Sequence, residues 1–380
     1  MCKEIVVRYT DLAACARAEA PLCIEMPPDG SLQRAAEAGR LQLVDRRSGQ
    51  TLEAQWLDGF VWAITPPSGL SGRLTLRVSS APTEVRLRAR RDRTTRQILI
   101  EEDGRPVLQY NYWTIDRPDR HAQVSPENRI YSRPRSNYIH PLTGLAGEVM
   151  TEDWPLDHPH HRGIYWAWPE VDYRGERGDL HALQRVFAYP TGRYRVTDGA
   201  VFAQIEAESV WRWDNGEPIV LEWARIRAYR RTGAGRCIDL AFFITALKEP
   251  VLLARRGTNL YGGLNMRLSA IRNQKFVFHT EGKQAWAGAF GIFPGGQSAG
   301  GLLIFPHPQN PHHPPEWVQY PELHWMQPTF PASGVRYELQ PGRPLALRYR
   351  LWIRQGSEPS PDLWQAQWQA YTMMERGAEI

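Results

Sequence analysis

Short apolar or alternating runs, separated by turns that contain glycine and proline, recur over the first quarter of the chain. They lie at residues 5–7, 22–26, 41–44 and 74–78. Runs of this length and period are typical of β-strands in a small unit. We therefore predict that residues 1–95 form a small N-terminal β-sandwich-like domain. An alanine-rich segment at residues 11–20 could add one or two helical turns.

The strand pattern becomes stronger from residue 96 onward. Residues 97–100 and 107–113 read as a hairpin, and a meander of four strands is predicted at 194–197, 201–213, 220–229 and 237–246. Glycine-bearing turns join the meander strands, which is typical of antiparallel pairing. Such a sheet needs a second sheet to bury one of its faces. The predicted fold is mainly β, with residues 96–380 forming a large antiparallel β-sandwich.

Two further segments complete the predicted architecture. Residues 114–180 are rich in proline and polar groups but also in aromatic residues, which favours an ordered, functional connection over the sheet. Near the C-terminus, Ser360 and Pro361 are suited to begin a helix. An aromatic stripe at every third or fourth position predicts that this helix covers the sandwich, and it consists of Trp364, Trp368 and Tyr371.

Composition is that of an ordinary globular protein, with 42% hydrophobic and 23% charged residues among 380. No apolar window is long enough to span a membrane, and residues 1–8 lack the apolar core of a signal peptide. Four cysteines without metal-type spacing favour a reducing compartment, so we expect a cytoplasmic protein. They are Cys2, Cys15, Cys23 and Cys237.

The net charge of +5 and the pI near 9.0 raise the question of a nucleic-acid partner. The basic residues are almost all arginine, spread along the chain and interleaved with acids. No motif that reads a nucleic-acid groove accompanies them. We expect no nucleic-acid partner and no membrane association.

Two histidine-rich stretches carry the candidate chemistry. Residues 157–163 read Asp-His-Pro-His-His-Arg-Gly, and residues 305–317 contain three more histidines, with His324 shortly after. If the first stretch is extended, His158 and His160 share one face and could hold a divalent ion. Further ligands could come from the rest of the chain, the candidates being His140, His307, His324 and Glu208.

Without a metal, the same side chains suit proton transfer. A neutral imidazole acts as acid or base near pH 7, and Arg162 could hold an anionic or developing oxyanion oxygen. Alternatively, Asp157 and Arg162 pair while the histidines cap loop backbone groups.

Glu208 and Glu222 lie on predicted neighbouring strands, where either could be a general base if both face a cleft. Four of the fifteen tryptophans flank the histidine stretches and could stack on a sugar ring: Trp166, Trp168, Trp317 and Trp325.

The order of these motifs resembles the family of unknown function DUF6807, often labelled "methane oxygenase", over residues 96–355. The resemblance is carried by residues 137–142, 157–163, 262–267 and 305–311. It implies a supersandwich similar to galactose mutarotase and an association with sugar catabolism. A membrane-bound methane oxygenase subunit would need a spanning segment, which the sequence does not provide.

The leading hypothesis is a carbohydrate-active enzyme that performs epimerisation, β-elimination or hydrolysis on a sugar or oxidised sugar. The alternatives are a non-catalytic glycan-binding protein and a metal-dependent oxygenase. The expected partner is a small sugar or oligosaccharide; a divalent metal and the oligomeric state are left open. The candidate catalytic residues are His158, His160, His161, Arg162, His307, Glu208 and Glu222. The candidate substrate-binding residues are Tyr138, His140, Trp166, Trp168, Asn265, Arg267, Trp317, His324 and Trp325.

Overall fold

A computed structural model describes residues 2–3, 18–25, 30–70, 73–214 and 216–374. The strand predicted at residues 5–7 and most of the alanine-rich segment at 11–20 lie outside the described residues.

The N-terminal unit contains two small antiparallel sheets and one helix, which enclose a core of their own around Leu32, Leu43 and Val61. One sheet has the order β1-β7-β3-β4 and the other β2-β6-β5. The elements are β1 (Cys2–Lys3), β2 (Pro21–Glu25), α1 (Gly30–Glu37), β3 (Leu41–Asp45), β4 (Thr51–Glu53), β5 (Gln55–Leu57), β6 (Phe60–Ile64) and β7 (Leu74–Val78).

The remaining elements build the large domain. They are β8 (Leu87–Arg91), β9 (Ile98–Glu102), β10 (Arg105–Asn111), α2 (Pro118–Gln123), β11 (Tyr138–Leu142), β12 (Ile164–Trp166), β13 (Glu170–Tyr173), β14 (Glu176–Gly178), β15 (Val186–Thr197), β16 (Phe202–Trp213), β17 (Pro218–Tyr229), β18 (Arg236–Ala246), β19 (Val251–Ala254), β20 (Leu264–Arg267), β21 (Arg272–Glu281), β22 (Gln284–Ile292), β23 (Gly300–Pro306), β24 (Trp317–Tyr320), β25 (Trp325–Pro328), β26 (Tyr337–Leu339), β27 (Leu345–Gln355) and α3 (Pro361–Thr372). Short 3-10 turns occur at Pro126–Tyr131, Arg256–Thr258 and Pro321–Leu323.

Two eight-stranded antiparallel sheets form the sandwich that the sequence predicts. The first has the order β24-β25-β20-β12-β11-β10-β9-β8, and the second β15-β16-β17-β18-β27-β23-β22-β21. Their inner faces share one large buried core, to which the first sheet contributes Ile164 and Met266 and the second Ile226 and Leu240. The predicted meander is present as β15 to β18. Strand β8 pairs with β9, so residues 87–91 are part of the large sandwich although they precede residue 96.

The outer face of the second sheet is covered by the N-terminal unit and by the C-terminal helix. Trp62 of β6 and Trp364 of α3 belong to the same buried cluster as Phe202 and Trp352 of the sheet. The helix begins where the sequence predicts, with the backbone N–H groups of Leu363 and Trp364 donating to the Ser360 carbonyl. No helix in the described ranges is long and apolar enough to cross a membrane.

The segment at 114–180 is more regular than the predicted connection. It supplies β11 and β12, which are central strands of the first sheet, and β13 and β14 of a small four-stranded sheet. These strands have only three to five residues each, and Pro141 interrupts β11. Their pattern is therefore too short to stand out from a proline-rich background.

Candidate metal centre

The histidine run at 158–161 forms a tight turn and is not extended. The His161 N–H donates to the His158 carbonyl over 2.9 Å, so the side chains do not alternate between two faces. The turn ends at Gly163, which has φ +50°; a Cβ there would lie 2.2 Å from the Ile139 carbonyl oxygen. Only glycine fits this close approach to the neighbouring strand. The turn brings the three imidazoles of the run together on one side.

A fourth histidine joins them from another loop. His181 lies in the turn after β14, and its N–H group, like that of Leu180, donates to the Trp168 carbonyl. The Asp179 side chain closes the same turn by accepting from the Ala182 N–H over 2.7 Å. These bonds fix the position of His181 beside the 158–161 turn.

The rings of His160, His161 and His181 converge. The His160 ring centroid lies 4.6 Å from that of His161 and 4.5 Å from that of His181. One potential ligand atom from each lies within 4.8 Å of the others. A four-coordinate zinc ion with Zn–N bonds of about 2.0–2.1 Å needs nitrogens about 3.3 Å apart, so the farthest pair must approach by up to about 1.5 Å. The cluster is near metal-binding geometry.

The cluster rests on the outer face of the first sheet. Tyr165 pairs with Asn265, and Arg267 pairs with Trp325, so these four side chains share the face opposite the core. The Tyr165 hydroxyl lies 3.1 Å from Nδ1 of His181, and the Trp325 ring lies 4.9 Å from that of His161. A hydroxyl on Nδ1 leaves Nε2 of His181 for an ion, as in sites whose histidine ligands are oriented by a second contact.

Arg135 holds the two histidine-bearing loops to the sheet. Its buried guanidinium donates to the carbonyls of His181 (2.9 Å), Leu180 (3.1 Å) and Trp166 (2.8 Å), with a longer contact of 3.4 Å to His160. It also lies 4.3 Å above the Tyr165 ring. Burial lowers the pKa of Arg135 to about 10, so the group remains charged near neutral pH.

Electrostatics keep the three converging histidines neutral. Burial, reinforced by the charges of His158 and neighbouring arginines, lowers the pKa of His160 to about 3. Burial and the adjacent histidines lower the pKa values of His161 and His181 well below their usual range. The Nδ1 atoms of His160 and His161 are buried and have no hydrogen-bond partner among the described residues. Neutral imidazoles with unused nitrogens are the form that binds metal ions.

His158 lies at the solvent side of the cluster. Its ring stacks on that of His161 at 4.9 Å, and its Nδ1 lies 2.9 Å from Asp157 Oδ2. Partial burial works against ionisation of Asp157, but the hydrogen bond from His158 and the charges of His158 and Arg267 lower its pKa overall. The carboxylate is thus available to orient and stabilise a protonated His158.

Arg267 adds a positive charge beside these rings. Its Nε donates to Glu152 over 2.8 Å, whereas its buried Nη1 has no hydrogen-bond partner within the described part of the chain. Three partly exposed tyrosines surround the cluster: Tyr131 against His160 at 5.4 Å, Tyr261 against His181 at 5.3 Å, and Tyr320 against Trp325 at 5.1 Å.

Arg162 is not positioned to contact a ligand. It is fully buried under the histidine turn, donates to the carbonyls of Pro159 and His161, and lies 3.7 Å from the Trp154 ring. A weaker contact of 3.5 Å joins it to Asp153. The side chain holds the turn in place and is not presented to solvent.

The two candidate glutamates lie on opposite faces of the second sheet. Glu208 pairs with Trp223, whereas Glu222 pairs with Ser209. Glu208 faces outward and binds Arg193, with 2.8 Å between Oε1 and Nε. Glu222 faces the interior, where it accepts hydrogen bonds from the indoles of Trp166 and Trp211.

The other candidates do not join the three converging histidines, although Tyr138 packs against Tyr165. Trp166 and Trp168 stack on each other in the core at 4.4 Å. His307 packs on Tyr371 of α3, on the outer face of the second sheet, and Trp317 donates to Thr280. Tyr138 and His140 lie on β11, where they contact Asp153 and Thr151. His324 contacts Gln274, and its carbonyl accepts from the Leu268 N–H next to Arg267.

The structure thus groups His158, His160 and His161 with Asn265, Arg267 and Trp325. Sequence reasoning missed His181, the third member of the converging set, and it did not assign roles to Tyr261 or Arg135. His181 is an isolated histidine outside both histidine-rich stretches, so no spacing pattern marks it.

Comparison with known proteins agrees with the motif order. A sequence profile described as "Family of unknown function (DUF6807)" matches residues 97–369, which is most of the chain and nearly all of the large domain. No curated protein matches the chain at a significant level. The chain therefore belongs to the DUF6807 family, whose function is unknown.

Proposed function

We propose that this protein is a metal-dependent enzyme that performs acid/base chemistry on a sugar or a closely related hydroxylated compound. The observation that carries the proposal is the convergence of His160, His161 and His181, with ligand atoms within 4.8 Å of one another. Three neutral imidazoles suit Zn²⁺ and neighbouring first-row ions, and they leave a coordination position open.

A bound ion would supply Lewis acidity toward a hydroxyl or carbonyl oxygen of the substrate. The protein's part is to hold the three imidazoles deprotonated and correctly oriented. Burial keeps them neutral, Tyr165 orients His181, and Arg135 fixes both loops. These contacts reduce the reorganisation that ion binding requires.

His158 is our candidate for the proton-transfer group. Nδ1 is engaged by Asp157, which leaves Nε2 to take a proton from a substrate carbon or hydroxyl and to return it later. The carboxylate then stabilises the imidazolium that forms. The His158 side chain is 38% exposed, whereas His161 and His181 are buried, as suits a group that exchanges protons with substrate.

Arg267 and the surrounding aromatics support a hydroxylated substrate. The Arg267 Nη1 is buried without a partner among the described residues and can donate to a substrate oxygen. The faces of Tyr131, Tyr261 and Tyr320 offer flat apolar surface of the kind that stacks on the C–H faces of a sugar ring.

The test is a product assay with metal-loaded protein in D₂O, using a panel of reducing and oxidised sugars and following the NMR spectra. Deuterium incorporation next to a carbonyl identifies epimerisation, a new alkene signal identifies β-elimination, and a released sugar identifies hydrolysis. We expect turnover to fall about 100-fold or more in His158→Gln, as for loss of a general base. His121→Gln, an exposed histidine on α2, is the matched control and should keep full turnover.

Turnover that survives chelation and the His158→Gln change would contradict the proposal. Saturable sugar binding without any of the three products, in the parent and both variants, would also contradict it and would indicate a glycan-binding protein.

A further inference from the structure

A cavity of about 150 Å³ lies at the edge of the sandwich interior, and no histidine of the cluster lines it. Its floor is formed by Asn137, Trp166 and Glu222, and its mouth by Arg133, Phe187 and Tyr189. An apolar cavity of about 150 Å³ accommodates benzene, so the interior has room for one six-membered ring only if the ring's substituents extend into the open mouth. None of the three converging histidines lines this cavity, but Arg135, which holds their loops, does.

The floor contains a buried amide that is not satisfied within the protein. Asn137 is 8% exposed, and neither its side-chain oxygen nor its side-chain nitrogen has a hydrogen-bond partner among the described residues. Leaving a buried polar group unpaired costs about 1–3 kcal/mol, so such groups are normally paired with protein, water or ligand. The unpaired Asn137 amide therefore indicates that the cavity holds a polar occupant.

The backbone fixes this amide in place. Asn137 has φ +60°, and its N–H donates to the Asn111 carbonyl over 2.7 Å immediately before β11 begins. Asparagine is one of the few residues with a side chain that adopt this left-handed conformation readily. The side chain is thus held beside the cavity by a rigid strand end.

Glu222 supplies a second polar group on the floor. Trp166 donates to Oε1 over 3.0 Å and Trp211 to Oε2 over 2.7 Å, and each oxygen keeps a further lone pair. Burial raises the pKa of Glu222 to about 7, so the carboxyl can donate or accept near neutral pH. The positive charge of Arg135 nearby disfavours a cationic occupant.

The mouth of the cavity is aromatic and open. Tyr189 is 40% exposed, and its ring centroid lies 6.4 Å from that of Phe187. A cavity with a polar floor and an aromatic mouth complements a molecule with hydroxyls on one edge and C–H groups on its faces.

We infer that this cavity binds one neutral, hydroxylated six-membered ring of monosaccharide size, with its hydroxyls on Asn137 and Glu222 and its C–H faces toward Phe187 and Tyr189. No histidine of the cluster lines the cavity, although Arg135 and Leu180 contribute both to its lining and to the support of His181. We expect ring binding to need no metal ion, so the two proposals can fail separately.

The test is isothermal titration of the full chain, freed of metal by chelation, with D-glucose, D-galactose and myo-inositol as probes. Asn137→Gly removes the amide and suits the left-handed backbone, and Asn273→Gly is the matched control, an exposed asparagine with φ +56°. Ala188→Phe adds a bulky ring at a lining position of the cavity. Thermal unfolding verifies that each variant is folded.

We expect at least one probe to bind the parent and Asn273→Gly equally, whether or not zinc is added. Its dissociation constant should rise at least tenfold in Asn137→Gly and in Ala188→Phe. Absence of saturable binding by all three probes overturns the inference, as does unchanged binding in Asn137→Gly. Binding that disappears on chelation would place the ring at the histidine cluster instead and overturns it as well. If Ala188→Phe does not fold, Asn137→Gly decides the question.

Discussion

Replacing Arg135 with lysine should loosen both histidine-bearing loops at once. The guanidinium reaches carbonyls in three separate segments, those of His181, Trp166 and, more weakly, His160. Its planar fork distributes donors in several directions, whereas a lysine ammonium concentrates three donors on one nitrogen. Arg135→Lys keeps the charge but cannot reproduce this spread.

The expected cost follows from the hydrogen bonds that are lost. A net hydrogen bond to a charged group contributes about 1.5–3 kcal/mol, so the loss of two of the four gives a destabilisation of about 3–6 kcal/mol. The lost contact with the Tyr165 ring adds to this. The three histidines should also lose their alignment, with a 10- to 100-fold weaker affinity for zinc, the range typical of groups that orient metal ligands.

Urea unfolding at pH 7 measures the first effect, and competition with a zinc chelator measures the second. Arg185→Lys is the matched control because Arg185 is exposed and pairs with Asp214 and Glu176 on the surface. Arg185→Lys should lower the free energy of unfolding by less than about 1 kcal/mol and leave the affinity for zinc unaltered. Arg135 does not hold the two loops if the free energy of unfolding of Arg135→Lys is within about 1 kcal/mol of the parent value and the variant binds zinc equally well.

The remaining predictions concern pH and the C-terminal helix. Folding lowers the pKa of His160 to about 3 and also lowers the pKa values of His161 and His181. As the pH falls below about 6.5, the unfolded metal-free chain therefore binds more protons than the folded chain, and the free energy of unfolding decreases. Between pH 7 and pH 5 His160 alone lowers the free energy of unfolding by about 2 kcal/mol, His161 and His181 lower it further, and Glu222, with a raised pKa of about 7, offsets about 2 kcal/mol. Urea unfolding should therefore show a net loss of stability between pH 7 and pH 5, and a flat profile contradicts the buried cluster. Glu222→Gln should deepen that loss by about 2 kcal/mol; an unchanged slope would mean that Glu222 ionises normally. Trp364→Ala should lower the free energy of unfolding, measured by thermal unfolding, by about 3–5 kcal/mol because Trp364 is buried. The control Gln369→Ala, at an exposed position of the same helix, should lower it by less than about 0.5 kcal/mol. Equal losses in the two variants contradict the packing of α3.

Much of the fold follows from local sequence patterns. The strands of the meander are long and joined by short glycine-bearing turns, so their pairing is encoded locally. The C-terminal helix carries both its start signal and its buried aromatic face within residues 360–371. The short strands β11 and β12 are different, because they are fixed by neighbours distant in the chain, such as the pairing of Tyr165 with Asn265.

A single bulge explains why the glutamates do not share a cleft. Near the turn between β16 and β17, the Trp213 N–H donates to the Glu217 carbonyl and Arg212 pairs with Pro218. If this register continued along both strands, Glu208 would lie directly opposite Glu222. An irregularity between Trp211 and Arg212 shifts the pairing by one residue. Such a shift moves a side chain to the other face of the sheet, and the sequence pattern does not reveal it.

The site could be predicted only in part for similar reasons. The run at 157–163 marks His160 and His161 by composition, but its folding as a turn depends on the approach of Gly163 to Ile139. His181 reaches the cluster because its turn is hydrogen-bonded to Trp168 and Arg135. These are tertiary contacts that no local spacing encodes.

Metal content is the most direct test of the central claim that His160, His161 and His181 hold one divalent ion. The measurement is mass spectrometry on untagged protein after zinc loading and gel filtration, with a His160→Gln, His181→Gln double variant and the His121→Gln control. We expect about one ion per chain in the parent and the control and almost none in the folded double variant. A parent without bound metal, or a double variant that retains the full amount, would contradict it.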